Sequence, residues 1–196
     1  MRQSRRLLGV VLVFAVTAVG CASTGSGDIV SEAREVGSFD RIEVSSGIAV
    51  EITVDPAAPG GLTSIYDDNL QDKILTEVSG DTLVIEVRGN VIAPGSGRMV
   101  KVEMPVLAGL LADGGASVKG VGTSEHLELR AEGGAAIDFE DMVVQTMDIG
   151  LDGGSKATVN AMLEITGRVT GGASLTLTNS PATRDLDVSG GGNVSG

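Results

Sequence analysis

Pairs of glycines recur at an almost constant interval in the second half of this 196-residue chain, and this recurrence restricts its fold more than any other feature. The first glycines of successive pairs are 19, 20, 18 and 19 residues apart, and they are Gly114, Gly133, Gly153, Gly171 and Gly190. Apolar and polar residues alternate on both sides of each pair, as they do in β-strands. Each copy is therefore predicted to be a strand, a sharp corner and a second strand.

Copies this short cannot bury their apolar side chains alone, but stacked copies can. We therefore predict an all-β fold, a parallel β-helix (β-solenoid) with coils of about 19 residues. Neighbouring coils would hydrogen-bond about 4.8 Å apart, and the glycines would form one continuous ridge along the corner. An antiparallel β-sandwich is the alternative, because alternation and turn signals also fit that architecture.

Two apolar columns flank the glycines and are predicted to point into the core. The first column lies two places before each pair, and the second lies four places after the first glycine. Their members are Ala112, Ala131, Leu151, Val169 and Val188, followed by Val118, Ile137, Ala157, Leu175 and Val194. The core is therefore predicted to be aliphatic.

The first twenty residues have the layout of a secretory signal, because basic residues precede an apolar run from Leu7 to Val19 that is too short for a comfortable membrane span. The letters "AVGC" at its end resemble a bacterial lipoprotein cleavage box. That resemblance implies removal of residues 1–20 and attachment of lipid to Cys21. The chain would then be anchored to a membrane of the cell envelope through palmitate-type acyl chains.

The residues after Cys21 are rich in serine and glycine, so residues 21–36 are predicted to be a flexible tether, with ordered sequence beginning near Phe39. Aspartate directly after the cysteine is associated with retention in an inner membrane, but this chain has Ala22 at that position. The anchor is therefore predicted in the outer membrane if two membranes are present, and otherwise on the outer face of the plasma membrane.

Charge and cysteine content restrict the partners and the chemistry. Cys21 is the only cysteine, which excludes a disulfide framework. Removal of three arginines and no acidic residue with the signal changes the net charge from −12 to −15. A surface this acidic repels phosphates, so we predict no nucleic-acid partner.

Three segments carry a family resemblance. They are "FDRIEVSSGIAVEIT" at Phe39–Thr53, "DDNLQDKILTEVSGDTLVIEV" at Asp67–Val87 and the recurring "GGAS"-type motifs, and together they resemble the auto-transporter adhesin head (GIN) domain family. The resemblance covers residues 37–196, which we predict to be the head domain. It implies a right-handed β-helix and a secreted or lipid-anchored bacterial protein, and it supplies no catalytic residue.

One row of carboxylates is a candidate cation site. Asp113, Glu132 and Asp152 directly precede three of the glycine pairs and would lie about 5 Å apart in stacked coils. Carboxylate oxygens are ligands for Ca²⁺, which makes a weak calcium site one interpretation. The interpretation we favour is a solvated corner in which these side chains accept hydrogen bonds from nearby backbone amides. His126 is the only histidine, so no zinc cluster, cofactor site or catalytic pair is predicted.

The sequence therefore predicts a lipid-anchored, non-enzymatic envelope protein whose head binds a protein or glycan at the cell surface, as an adhesin-like or structural module. A carbohydrate-binding or polysaccharide-cleaving protein is the alternative, because carboxylates are available for general acid chemistry. Self-association is a further prediction, since an incomplete final coil at Gly190–Gly196 would expose an unpaired strand edge.

Overall fold

The structure, a computed structural model, describes residues 22–92 and 96–196. The predicted signal at 1–20 and the predicted lipidation site Cys21 lie outside these residues. The described residues form one 3-10 helix, at Asp68–Lys73, and sixteen strands: β1 Ser23–Thr24, β2 Ile29–Arg34, β3 Arg41–Val44, β4 Ala49–Val54, β5 Gly61–Asp67, β6 Ile74–Ser79, β7 Thr82–Val87, β8 Val91–Ile92, β9 Met99–Met104, β10 Gly109–Ala112, β11 Ser117–Ala131, β12 Ala136–Leu151, β13 Lys156–Val169, β14 Ser174–Leu177, β15 Thr183–Val188 and β16 Asn193–Ser195. Over the described ranges, no helix is both long enough and apolar enough to pass through a membrane.

Fourteen of these strands belong to one sheet that curls into a half-barrel, while β1 and β8 form a small parallel ribbon beside it. The main order across the large sheet is β16-β14-β13-β12-β11-β10-β3-β7-β6. The strands β4, β9, β5 and β2 continue the sheet from β11, and β15 pairs with β13. The last strands of the chain therefore lie at one end of the sheet, and β6 lies at the other.

The predicted right-handed parallel β-helix is wrong, because the large sheet mixes parallel with antiparallel pairs. The antiparallel pairs are β2 with β5, β5 with β9 and β6 with β7. Only Gly80 and Asp81 separate β6 from β7, and Gly80 has a φ of +67°. A two-residue loop joins antiparallel strands, whereas parallel strands need a crossover of a dozen or more residues. The β-sandwich does not describe the fold either, because a single sheet holds fourteen strands.

From β10 to β16 the strand pairs of the described chain are parallel, and the predicted ridge of glycines is present there. Gly153 has a φ of +69°, and a Cβ atom built on it would lie 2.8 Å from the carbonyl oxygen of Gly133. This close approach leaves no room for a side chain. The stacking is interrupted where the register shifts, between Lys119 and Gly122 and again between Phe139 and Val143.

The core consists mainly of aliphatic side chains, as predicted. Members of the two predicted columns are buried, except that Val188 is 43 % exposed and Val194 is partly buried. Phe139 is fully buried between the strands of the parallel half. Period-two alternation identified the inward positions correctly because strand geometry alone decides which side chains share a face.

Order begins earlier than Phe39. The strands β1 and β2 both lie within residues 21–36, the predicted tether. β2 pairs with β5 along its whole length, from Ile29 opposite Asp67 to Arg34 opposite Leu62. The chain therefore joins the sheet within a few residues of its first described residue, Ala22.

Candidate binding surface

One outward face of the sheet carries a ladder of alternating charges, which we call the charged face. Arg41 on β3 contacts Asp81 at 3.9 Å and Glu128 at 3.0 Å. Arg130 on β11 contacts the same Glu128 at 3.3 Å and Asp148 on β12 at 3.1 Å. These side chains are between one third and two thirds exposed, so the ion pairs contribute little to stability and remain accessible to a partner.

Two glycines allow arginine side chains to lie flat on this face. A Cβ atom built on Gly109 would lie 2.6 Å from Nη1 of Arg41, and one built on Gly150 would lie 2.8 Å from Cδ of Arg130. Any larger residue at either glycine would displace the arginine that covers it. Because Gly109 and Gly150 have no side chain, the side chains of Arg41 and Arg130 can occupy the space above them.

Gly150 also forms the floor of a shallow pocket between two arginines. In the sheet register Gly150 lies between Arg130 on β11 and Arg168 on β13, which places the two arginine backbones roughly 10 Å apart. The side chain of Arg168 is exposed and makes no ion pair or hydrogen bond with another described residue. The pocket has a volume of about 240 Å³ and is also lined by Glu132, Leu151, Asp152 and Thr170. Guanidinium groups in such a pair are suited to carboxylate ligands.

Two members of the predicted carboxylate row, Glu132 and Asp152, line this pocket, and all three members are exposed. Asp113 accepts a hydrogen bond from the amide of Gly114. Asp152 accepts one from the amide of Gly153 at 2.7 Å and one from the Thr170 hydroxyl at 3.1 Å. These are the contacts expected of a solvated corner. The calcium site at Asp113, Glu132 and Asp152 stays a prediction.

Other candidate metal ligands do not converge. In the described part of the chain, no group of three or more histidine, cysteine, aspartate or glutamate side chains could hold a metal ion. His126 lies on the exposed surface of β11, where Nδ1 is 3.0 Å from the Thr146 hydroxyl on β12. The polar residues of the charged face are therefore the arrangement best suited to binding a partner.

A family model described as "Putative auto-transporter adhesin, head GIN domain" matches residues 38–121 and 110–181. The chain belongs to this family. The resemblance seen in the sequence is thereby confirmed. The family is described as an adhesin and not as an enzyme, and this membership indicates binding to a surface partner and a location at the cell surface or envelope.

Solved structures similar to this GIN domain include two named as adhesins. A "putative adhesin from Parabacteroides distasonis" is 17 % identical, with a TM-score of 0.60, over 89 % of this chain and 99 % of the other. A "putative adhesin" from Bacteroides fragilis is also 17 % identical, with a TM-score of 0.52, over 88 % of this chain and 98 % of the other. Comparison with curated proteins finds no match. At these identities the likeness shows the fold alone.

The GIN domain also contains a buried ion pair that sequence reasoning missed. The side chain of Asp67 is fully buried, that of Arg98 is 9 % exposed, and Nη2 of Arg98 donates to Oδ1 of Asp67 at 2.9 Å. This hydrogen bond holds the pKa of Asp67 well below its usual value and raises the pKa of Arg98. The sequence contains no signal for it, because Asp67 and its neighbour Asp68 look alike and the arginine is 31 residues away.

Tyr66 lies next to this pair and is also buried, with 6 % of its surface exposed. Burial raises the pKa of its phenol to about 12, because a phenolate would lose its hydration there. The neighbouring Arg98 opposes this shift but does not cancel it. The charged face and this buried group therefore differ in kind, since only the former is open to a partner.

Proposed function

We propose that this GIN domain is a non-enzymatic binding module held on a membrane of the cell envelope. In this proposal residues 1–20 are removed, Cys21 carries the lipid, and residues 37–196 form the head together with β2, which lies within the predicted tether 21–36. The basic and apolar signal, the "AVGC" sequence and the adhesin family support this assignment. With Ala22 after the cysteine, the outer membrane is the proposed location if the cell has two membranes.

The charged face carries the binding part of the proposal. Its arginines are ordered by Glu128 and Asp148, and Arg168 offers a guanidinium group that no other described residue engages. An arginine held in position loses little conformational freedom when it binds a carboxylate. We therefore propose a ligand that carries carboxylate groups, seated at Gly150 between Arg130 and Arg168.

Membrane attachment is tested by fractionating cells that express the natural chain or the Cys21→Ser variant. The natural protein should sediment with membranes and carry the mass of acyl chains, whereas the variant should lose both properties. An unmodified cysteine in the natural protein would contradict the proposed anchor.

Ligand binding is tested by titrating the mature protein with an oligosaccharide of uronic acids and with its methyl ester. The acid should bind and the ester should not, because esterification removes the charge that the arginines recognise. Arg168→Ala should weaken binding about tenfold, the effect of one charge-assisted hydrogen bond. Arg184→Ala is the matched control, since Arg184 lies opposite the buried Ile165 and not in the row of Arg168. Equal binding of acid and ester would contradict recognition of carboxylates.

The alternative function is either carbohydrate binding or polysaccharide cleavage. The arginine pair Arg130 and Arg168 favours binding without cleavage. Two of the three carboxylates of the ladder, Glu128 and Asp148, accept hydrogen bonds from arginines, which suits them to organising a binding face rather than to transferring protons. Incubation of the mature protein with the same oligosaccharide separates the two functions. Accumulation of shorter products would establish cleavage and overturn the non-enzymatic assignment.

Self-association through the C-terminal strands is a second proposed property. β15 and β16 lie at one end of the large sheet, and Val188 on β15 is 43 % exposed there. Unpaired strand edges can pair with a second copy. Light scattering should detect association of the mature protein that disappears when Gly190–Gly196 are deleted. Identical masses for the two forms would contradict it.

A further inference from the structure

The first described residues are fastened to the head by a set of hydrogen bonds that we call the N-terminal clamp, formed by residues 23–28 with 67–69 and 90–92. The amides of Ser23 and Gly25 donate to the carbonyl groups of Asn90 and Ile92, each at 2.9 Å. The strands β1 and β8 therefore form a parallel ribbon at the place where the chain enters the head. A flexible tether would make no such contacts.

Side chains of the 3-10 helix complete the clamp. Asn69 accepts a hydrogen bond from the amide of Ser26 at 3.0 Å and donates one to the carbonyl group of Thr24 at 2.9 Å. The hydroxyl of Ser26 donates to Asp68 at 2.6 Å. One asparagine side chain thus holds two successive parts of the entering segment.

The buried carboxylate of Asp67 lies directly beneath this segment. Its Oδ1 accepts a hydrogen bond from the amide of Gly27 at 2.7 Å, and Arg98 contacts it from the other side. A Cβ atom built on Gly25 would lie 2.5 Å from the same oxygen, so the backbone of the segment packs onto the ion pair. The clamp is therefore attached to the interior of the head and not only to its surface.

The clamp ends very close to the proposed anchor. Cys21 precedes Ser23 by two residues, and two extended residues span at most about 7 Å. Because acyl chains on Cys21 would be buried in the bilayer, the β1–β8 ribbon must then lie at the membrane surface. This step rests on the proposed lipidation of Cys21.

Exposed apolar side chains occur where this geometry places the lipid. Of the seven large apolar side chains that are exposed among the described residues, three belong to the clamp or to the strand that follows it. They are Ile92, 51 % exposed, and Ile29, 43 % exposed, with Val30, 41 % exposed, on the opposite face of β2 from Ile29. Apolar surface of this kind is stabilised by contact with the boundary between headgroups and acyl chains.

We propose that the N-terminal clamp holds the head in one orientation on the bilayer, with Ile92 and Ile29 against the lipid and strands β14–β16 directed outward. Six strand spacings separate β7, which leads into β8, from β14, a separation of up to roughly 29 Å along the sheet. The C-terminal strands would then be the part of the head most accessible from outside the cell.

The test uses the full-length protein after acylation, reconstituted into phosphatidylcholine vesicles that contain a nitroxide-labelled lipid. Because Cys21 is the only natural cysteine and carries the lipid, an introduced cysteine is the only free thiol. Ile92→Cys and Leu163→Cys are each labelled with a fluorophore; Leu163 is 53 % exposed on β13, away from the clamp. We expect strong quenching at Ile92 and none at Leu163. Equal quenching at the two positions in acylated protein would overturn the fixed orientation.

A second variant tests the clamp itself. Asn69→Ala, added to Ile92→Cys, removes the two hydrogen bonds that Asn69 makes to the entering segment, and quenching at Ile92 should be largely lost. Asn193→Ala is the matched control, because Asn193 is exposed on β16, and it should leave the quenching unchanged. Thermal melting establishes that both variants are folded, and unchanged quenching in folded Asn69→Ala would contradict the role of the clamp. Absence of acyl mass on the natural protein would instead overturn the proposed anchor, and the orientation with it.

Discussion

The two halves of the sheet keep their strands in place by different means. From β10 to β16 the strands repeat one arrangement, and backbone hydrogen bonds set a spacing that glycines such as Gly153 over Gly133 permit at the corner. From β1 to β9 the strands run in both directions, and polar side chains connect segments that do not pair. A repeating sequence can thus specify which strands become neighbours through the backbone, whereas a non-repeating sequence needs particular side chains to do so.

Arg34 illustrates the second means. Its guanidinium group donates to the carbonyl group of Gln71 at 2.7 Å and to the hydroxyl of Thr76 at 3.1 Å, so β2 is joined to the 3-10 helix and to β6. Gln71 in turn donates from Nε2 to the carbonyl group of Val30 at 3.1 Å. These hydrogen bonds connect β2 with β6 and the 3-10 helix, although β2 and β6 do not pair directly.

The largest effect is expected from Gly153→Ala in the parallel half. The new methyl group would collide with the backbone of Gly133, and we expect a loss of about 3–5 kcal/mol in the free energy of unfolding. Gly115→Ala is the matched control, because Gly115 also has a positive φ, of +86°, but has no atom within 4 Å of the added Cβ. Urea unfolding should give about 1–2 kcal/mol for the control, the cost of the backbone conformation alone. Equal losses would show that conformation, not clearance, matters on the ridge.

Acid should weaken the N-terminal half through Asp67. Arg98 holds the pKa of this carboxyl group below its ordinary value of about 3.9, so the ionised pair stabilises the fold above that pH. This contribution is lost as the pH falls through the lowered pKa. Urea midpoints measured between about pH 6 and about pH 2 should fall more steeply for the natural protein than for Arg98→Met. Parallel curves for the two proteins would refute the assignment.

Alkali should act on the same half through Tyr66. Because its pKa is raised to about 12, the stability that its burial contributes is complete below about pH 10 and is lost as the pH rises toward about 12. Tyr66 is the only tyrosine and the chain has no tryptophan, so the tyrosinate absorbance reports on this group alone. Its midpoint should lie near 12 in the folded protein and near its ordinary value of about 10 in urea. A folded-state midpoint of about 10 would show that the phenol is exposed to water.

The smallest losses of stability are expected from replacing Arg130 or Arg34, and the two losses should differ. Arg130→Ala removes partly exposed ion pairs on the charged face and should cost less than about 1 kcal/mol. Arg34→Ala removes hydrogen bonds from a side chain that is only 15 % exposed and should cost about 1.5–3 kcal/mol. Chemical unfolding of the two variants measures the difference directly. The reverse order would mean that the polar contacts of the N-terminal half do not hold it together.

The sequence predicted the parallel half better than the rest because its signals are local. Alternation identifies inward positions such as Val118 and Leu175, and glycine pairs mark the corners. Alternation does not give strand direction, since a segment such as "TLVIEV" in β7 alternates in the same way beside a parallel or an antiparallel neighbour. The prediction of a right-handed parallel β-helix therefore fails for β6 and β7, which the Gly80–Asp81 loop makes antiparallel.

The candidate binding surface was harder to predict. The carboxylate row was visible because its members precede the glycine pairs, but the ladder depends on which strands become neighbours. Arg41 and Glu128 are 87 residues apart in sequence and meet only because β10 lies between β3 and β11. The clamp escaped prediction for another reason, since serine and glycine in residues 23–27 are typical of linkers as well as of tight backbone contacts.

The clamp also has a mechanical consequence. If the chain is anchored at Cys21 and the charged face binds a partner, a force between the cell and the partner is applied to the head at β1. The two-residue β1–β8 ribbon bears that tension first, and the six paired residues of β2 and β5 bear it next. The buried Asp67–Arg98 salt bridge contacts the chain at this point, so it would resist separation of the first strands from the head.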